Sequence, residues 1–453
     1  MKKPVDNSGH ASHERFTRGY KLWTLLIGTL VVTLVALTVL LWQRRENPAV
    51  APITDPSMIA IQNMVASGKF LQATARLDAT SRFDKPAGLR ALRDFSLIVL
   101  RRGLKEPSLY DQCFAASALA AGGENQGLRL LVDTFDKNPD LSLKMAVADG
   151  LGEDGNRRAV EILGQLYSEA KPFERRIIVE GLSSARDPSA ATVLIEATHA
   201  SDEMVRLGAL KALGELGNRS AIPRLRQVVA SKKHDAFDRV MASRSLILLG
   251  DKSVVPYLSS VLFDHSQDER ARAVAAVALG FAKDPAALPL LKQALTDQKL
   301  DVRIGAAAAL THYGDPAGAE YLESSLVNSD DISRLEISQL FKTLDQASGR
   351  PVILAGLRSK YMNVKLAAIK ALATPGSERN AEVLIGLLRE TKDSTVRAQI
   401  AWALGHIGSP GSIQVLLVMV SDPKPVVRYT AAASLNLIAT HLLAAGKSWD
   451  RAI

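Results

Sequence analysis

The run DEMVRLGALKALGELG, from Asp202 to Gly217, decides how this chain folds. Taking Arg206 as an anchor, Ala209 lies three residues on and Leu213 seven. Those offsets share one face of a helix. The helix stops at Leu216-Gly217-Asn218, and a second one follows from Ala221-Ile222-Pro223-Arg224-Leu225. Pro in a first turn costs little, because its missing N–H has no helical partner there. The same unit recurs along the chain. Anchors equivalent to Arg206 stand at Gln112, Lys144, Arg175, Arg239, Arg272, Arg303, Arg334, Lys365, Arg397 and Arg428, always 31 to 33 residues apart. Three residues beyond each anchor is a small or β-branched residue, Ala115, Val147 and Ile178 through Ile400 and Ala431. Seven beyond is Leu in every unit but one, where Phe341 stands. A fixed period of this size indicates stacked supersecondary units, each burying its apolar face on the next.

The composition agrees with close helix packing. Hydrophobic residues make up 47% of the 453 and aromatics only 5%, which favours helices over a β-rich core. The formal charge of +9 is unevenly spread. The first fifty residues hold +4, and the remaining 403 carry 49 basic against 44 acidic groups. A nearly balanced body argues against nucleic acid as a partner. Cys113 is the only cysteine, so the chain has neither an internal disulfide nor a cysteine-based zinc cluster. From Leu22 to Trp42 runs LWTLLIGTLVVTLVALTVLLW, without a charge and with Trp23 and Trp42 at its ends. It is long enough to cross a hydrocarbon core of roughly 30 Å and too long for the apolar region of a cleaved signal peptide. The sequence therefore predicts one transmembrane helix. Five basic residues before it (Lys2, Lys3, Arg15, Arg18, Lys21) against Arg44 and Arg45 after it predict a single-pass membrane protein, with a cytoplasmic N-terminus and an extracytoplasmic body.

The strings Val396-Arg397-Ala398, Leu404-Gly405 and Gly408-Ser409-Pro410, with their counterparts in other units, resemble the HEAT-repeat family. The likeness is to the short bacterial units called phycobilisome-lyase-type, and it covers about residues 107–441. It implies an all-α, right-handed solenoid of helical hairpins. The expected organisation is a polar, basic tail (1–21), a transmembrane helix (22–42), a Pro-containing linker (43–56), a divergent helical N-terminal cap (57–106), the repeat solenoid (107–445) and a short tail (446–453). An open array needs polar end units, which is the reason for reading 57–106 as a cap. The unit at Arg334 departs from the pattern, since its turn, Asp345-Gln346-Ala347, lacks the usual Gly. In HEAT proteins the repeated Asp and Arg brace adjacent turns, so pairs such as Asp202 and Arg206 or Asp393 and Arg397 read as architecture rather than as a site.

The resemblance also implies that the anchor helices line the concave surface. Candidate partner-binding residues then lie where the units differ, five and nine residues past the anchors. The fifth row contributes Asp149, Glu180, Lys211, Arg244, Lys370 and Trp402, and the ninth contributes His312 and His406. Tyr429 is one unit further on. An exposed aromatic among these can anchor a protein partner. Enzymatic signatures are lacking. The one His-Glu dipeptide, His13-Glu14, precedes the apolar segment, the other histidines show no metal-ligand spacing, and neither a nucleophile elbow nor a phosphate-binding loop is present. The expected protein is a non-enzymatic, membrane-anchored scaffold that binds a protein or peptide partner and has no cofactor, metal or catalytic residue. The alternative that the resemblance implies is a bilin or other cofactor lyase.

Overall fold

The computed structural model describes residues 55–444, apart from 122–123, 155–156, 186, 329–330, 342–343 and 345–346. The body from Asp55 onward is one compact unit, and among the described residues it contains helices and no strand. It begins with α1 (Pro56–Ala66), α2 (Phe70–Thr80) and α3 (Pro86–Gly103). Pairs then follow: α4 (Leu109–Ala121) with α5 (Asn125–Lys137), α6 (Leu141–Asp154) with α7 (Arg157–Glu169), α8 (Pro172–Ser184) with α9 (Ala190–Ala197), and α10 (Glu203–Leu216) with α11 (Ile222–Ala230). Next come α12 (Ala236–Leu248) with α13 (Val255–Phe263), α14 (Glu269–Ala282) with α15 (Ala287–Ala294), α16 (Leu300–His312) with α17 (Pro316–Asn328), and α18 (Asp331–Leu340) with α19 (Arg350–Leu357). The array ends with α20 (Met362–Ala371) and α21 (Glu378–Glu390), α22 (Ser394–Ile407) and α23 (Ile413–Met419), and α24 (Pro425–Ala444).

The anchors fall on the even-numbered helices from α4 to α24. All eleven residues three past the anchors, and all eleven seven past them, have no solvent exposure. Each anchor helix starts and stops for local reasons. At α10 the Asp202 carboxylate accepts the Val205 N–H at 3.1 Å, satisfying a donor the first turn leaves free. Gly217 ends it in the left-handed region at φ 74°, where a side chain would be strained. Neighbouring anchor helices touch closely. A Cβ on Gly214 would lie 2.6 Å from Ser245 Oγ, and Ser245 Oγ donates to Leu210 O at 2.6 Å. Ser434 Oγ on α24 makes the same bond, donating to Ala401 O of α22 at 2.7 Å.

The array closes on itself. The last helix, α24, packs on α3 and α4. A Cβ on Gly103 would stand 2.5 Å from Ala115 Cβ and 2.9 Å from Tyr429 Cε1, so α3 fits between α4 and α24 only because Gly103 has no side chain. Tyr429 donates from its hydroxyl to Glu106 Oε1 at 2.5 Å, and the Arg428 guanidinium lies 4.5 Å from the Phe70 ring centroid. On the other layer, Gln414 Nε2 donates to Asp78 Oδ1 at 2.8 Å. The helices within 57–106 therefore mate with the last units instead of facing water as a polar end. Their buried Leu89, Leu92, Phe95 and Val99 make that possible.

The expected single-pass membrane localisation is corrected. No helix among the described residues is long and apolar enough to cross a membrane. The two longest, α3 and α24, carry charges within their spans, including Arg90, Arg93 and Asp94 on α3 and Arg428 on α24. The segment from Leu22 to Trp42, the tails 1–21 and 446–453 and most of the linker lie outside the described residues, as do Asp345 and Gln346 of the unusual turn. In that unit Ile337 and Phe341 are fully buried, and the Arg334 guanidinium reaches Leu326 O at 3.0 Å and the Tyr361 hydroxyl at 3.0 Å.

Candidate interaction surface

Several anchor side chains are committed to contacts within the array. Lys144 Nζ donates to Glu174 Oε1 of the next unit at 2.7 Å, and this bond, with the Lys171 N–H, holds the Glu174 carboxyl below the ordinary carboxylate range. Arg206 Nε reaches Asp238 Oδ2 at 2.7 Å, and Arg397 Nε reaches Asp422 Oδ2 at 2.9 Å. Arg272 pairs with Asp297, both nearly buried, and its Nε donates to Leu262 O at 2.9 Å. The braces run between units. Asp202 pairs with Arg176 of the preceding unit, and the Arg176 hydrogen bonds hold its carboxyl low.

The candidate residues do not form one site. Asp149 and Glu180 are exposed on α6 and α8, and Lys211 is half-buried on α10. Arg244 is buried on α12; its Nη2 donates to Glu215 Oε1 at 3.3 Å, and its guanidinium lies 5.7 Å from the Phe281 ring. Phe281 in turn meets the His312 ring at 4.6 Å. This string joins four successive anchor helices. A second group forms at the far end, where Trp402 stacks on His406 with centroids 3.9 Å apart and Lys370 Nζ stands 5.4 Å from the Trp402 ring. The expectation that Tyr429 is exposed for a partner is corrected: it is 1% exposed. Being one residue past its anchor puts it in the seam with α3, and burial, then its bond to Glu106, pushes its phenol well above the ordinary range.

The larger exposed apolar feature was missed by reading only the fifth and ninth rows. Two residues before the anchors, Tyr110, Phe173 and Met204 are 38%, 47% and 58% exposed on α4, α8 and α10. Phe114, one turn past Tyr110, is 43% exposed, and Leu141 and Met145 on the intervening α6 are 44% and 45% exposed. The offset from minus two to plus five is seven residues, so Met204 and Lys211 share a helix face. The signal in the sequence is partial, because Tyr110, Phe173 and Met204 stand two before their anchors but Ser142 holds that place in the unit between. No group of His, Cys, Asp and Glu among the described residues could hold a metal ion.

The family model described as HEAT repeats matches residues 170–242, 233–299, 255–340 and 350–436. No curated protein matches. Among solved structures, the chain is similar to the complex of CpcE and CpcF of phycocyanin lyase from Nostoc sp. PCC7120, at 22% identity over 50% of this chain and 92% of that one, with a TM-score of 0.38. It is also similar to human deoxyhypusine hydroxylase in complex with glycerol, at 18% identity over 71% of this chain and 98% of that one, with a TM-score of 0.30. An engineered protein shares 19% identity over 76% of this chain and 98% of its own length, with a TM-score of 0.28. These are likenesses of fold alone. The matched repeats cover more than half of the sequence, and the chain belongs to the HEAT-repeat family.

Proposed function

We propose that this protein is a non-enzymatic scaffold that holds a protein or peptide partner on the exposed face of its anchor helices. The observation that carries the reading is the apolar stripe of Tyr110, Phe114, Met145, Phe173 and Met204, spread over four successive units. Contiguous exposed apolar surface of this kind is uncommon on a protein that works alone, and aromatic residues supply much of the binding energy at protein interfaces. The stripe continues into polar positions that differ from unit to unit (Asp149, Glu180, Lys211), which gives a partner register as well as adhesion.

The test is a photo-reactive phenylalanine analogue placed in cells at Phe114 or Phe173, with Val418 on α23, which is more exposed than either, as the control. The reading expects a discrete cross-linked protein species from both stripe positions and none from Val418. No adduct at the stripe, or the same adducts from Val418, would remove it.

A further inference from the structure

The turns joining α9 to α10 and α11 to α12 line an open cleft of about 570 Å³. Its wall carries three fixed cations, Arg206, Arg224 and Lys233, the imidazoles of His199 and His234, and the carboxylates of Asp235 and Asp238. Each carboxylate is engaged through one oxygen, and the other Asp238 oxygen, Oδ1, is buried without a hydrogen-bond partner among the described residues. Asp238, 1% exposed, accepts from Arg206 Nε at 2.7 Å and from His234 Nδ1 at 3.0 Å. Asp235 caps α12 by accepting the Asp238 N–H at 2.7 Å.

Arg224 is different. Among the described residues its guanidinium meets only neutral acceptors, Thr198 Oγ1 at 2.8 Å and Thr198 O at 3.2 Å. Burial pulls its pKa down, as it does for His199, where the positive charge of Arg224 and of His234 adds to the effect. A partly desolvated cation held in place by neutral groups, beside further cations, is a preformed receptor for negative charge. The planar guanidinium fork matches the paired oxygens of phosphate and carboxylate. The volume lies in the range of small-molecule pockets, so there is room for whatever group carries the anion.

We propose that this cleft binds an oxyanion, a phosphate or carboxylate group, on Arg224, with Lys233 and His199 beside it. The proposal does not rest on the partner reading. The experiment is isothermal titration of the full chain with inorganic phosphate and, separately, with acetate; the probe that binds more tightly identifies the class. Arg224→Gln should weaken binding about tenfold or more, which corresponds to about 1.4 kcal/mol, while Arg224→Lys should retain part of it. His199→Asn and Lys233→Gln, both at exposed positions, should each weaken it severalfold, and they keep the test valid if Arg224→Gln loosens α11. Arg226→Gln is the control, because Arg226 pairs with Asp251 and does not line the cleft. Binding of neither probe, or the same affinity in His199→Asn, Lys233→Gln and Arg226→Gln, would overturn the proposal.

Discussion

Arg272 and Asp297 are 3% and 6% exposed at their side chains, so each charge is tolerated in the interior only because of the other. Arg272→Met would strand the carboxylate, and breaking such a pair costs about 3–5 kcal/mol. Urea denaturation should show that loss, and Arg272→Met/Asp297→Leu should recover much of it. Arg176 and Asp202 supply a pH-dependent counterpart at the surface. The folded Asp202 carboxyl titrates below its ordinary value of 3.8 because Arg176 hydrogen bonds favour the ionised form. A depressed carboxylate stabilises the fold above that ordinary value, and the contribution disappears as pH falls through the lower, folded one. Acid titrations followed by circular dichroism should therefore show a shallower stability loss below about pH 4 in Arg176→Gln than in the unaltered chain. The sequence made the anchors legible as architecture because stacked units need the same residue at the same offset. It did not show which partner each anchor takes, since the pairs cross from one unit to the next.

For single elements, the repeat rows translate directly into buried faces. Leu213 on α10 has no exposure, and Leu213→Asp should lose about 1.5–3 kcal/mol of apolar burial before the cost of the charge is added. A thermal melt unchanged from that of the parent would show the register to be wrong. Gly103 tests a contact the repeat pattern could not supply. Gly103→Val would push into Ala115 and Tyr429, with an overpacking cost of about 1–3 kcal/mol. The penalty should shrink when Tyr429→Ala is added, because the two side chains compete for one space. Tyr429 was legible as an aromatic on the last anchor helix but not as buried. Its surroundings come from α3 and Glu106, more than three hundred residues earlier, and no local periodicity reports them.

At the scale of the whole molecule, helical class, unit length and core rows could all be read in advance, because they are properties of one unit repeated. Closure could not. It depends on small rotations accumulated over eleven units, and its contacts join residues with no motif in common. The face proposed to hold a partner was half legible: the variable fifth and ninth rows were seen, whereas the exposed apolar residues around the anchors passed as ordinary helix sequence. Closure is also the feature that sets this array apart from an open stack of the same units, so the structural account stands on it. The direct test is a distance between spin labels at Asp78→Cys and Gln414→Cys, with Cys113 replaced by Ser. Asp78 and Gln414 are hydrogen-bonded at 2.8 Å, so a closed array predicts a single short distance set by the labels themselves. Eleven units stacked at about 9 Å in an open array would separate them by on the order of 100 Å. A distribution centred at such long distances would contradict the closed array.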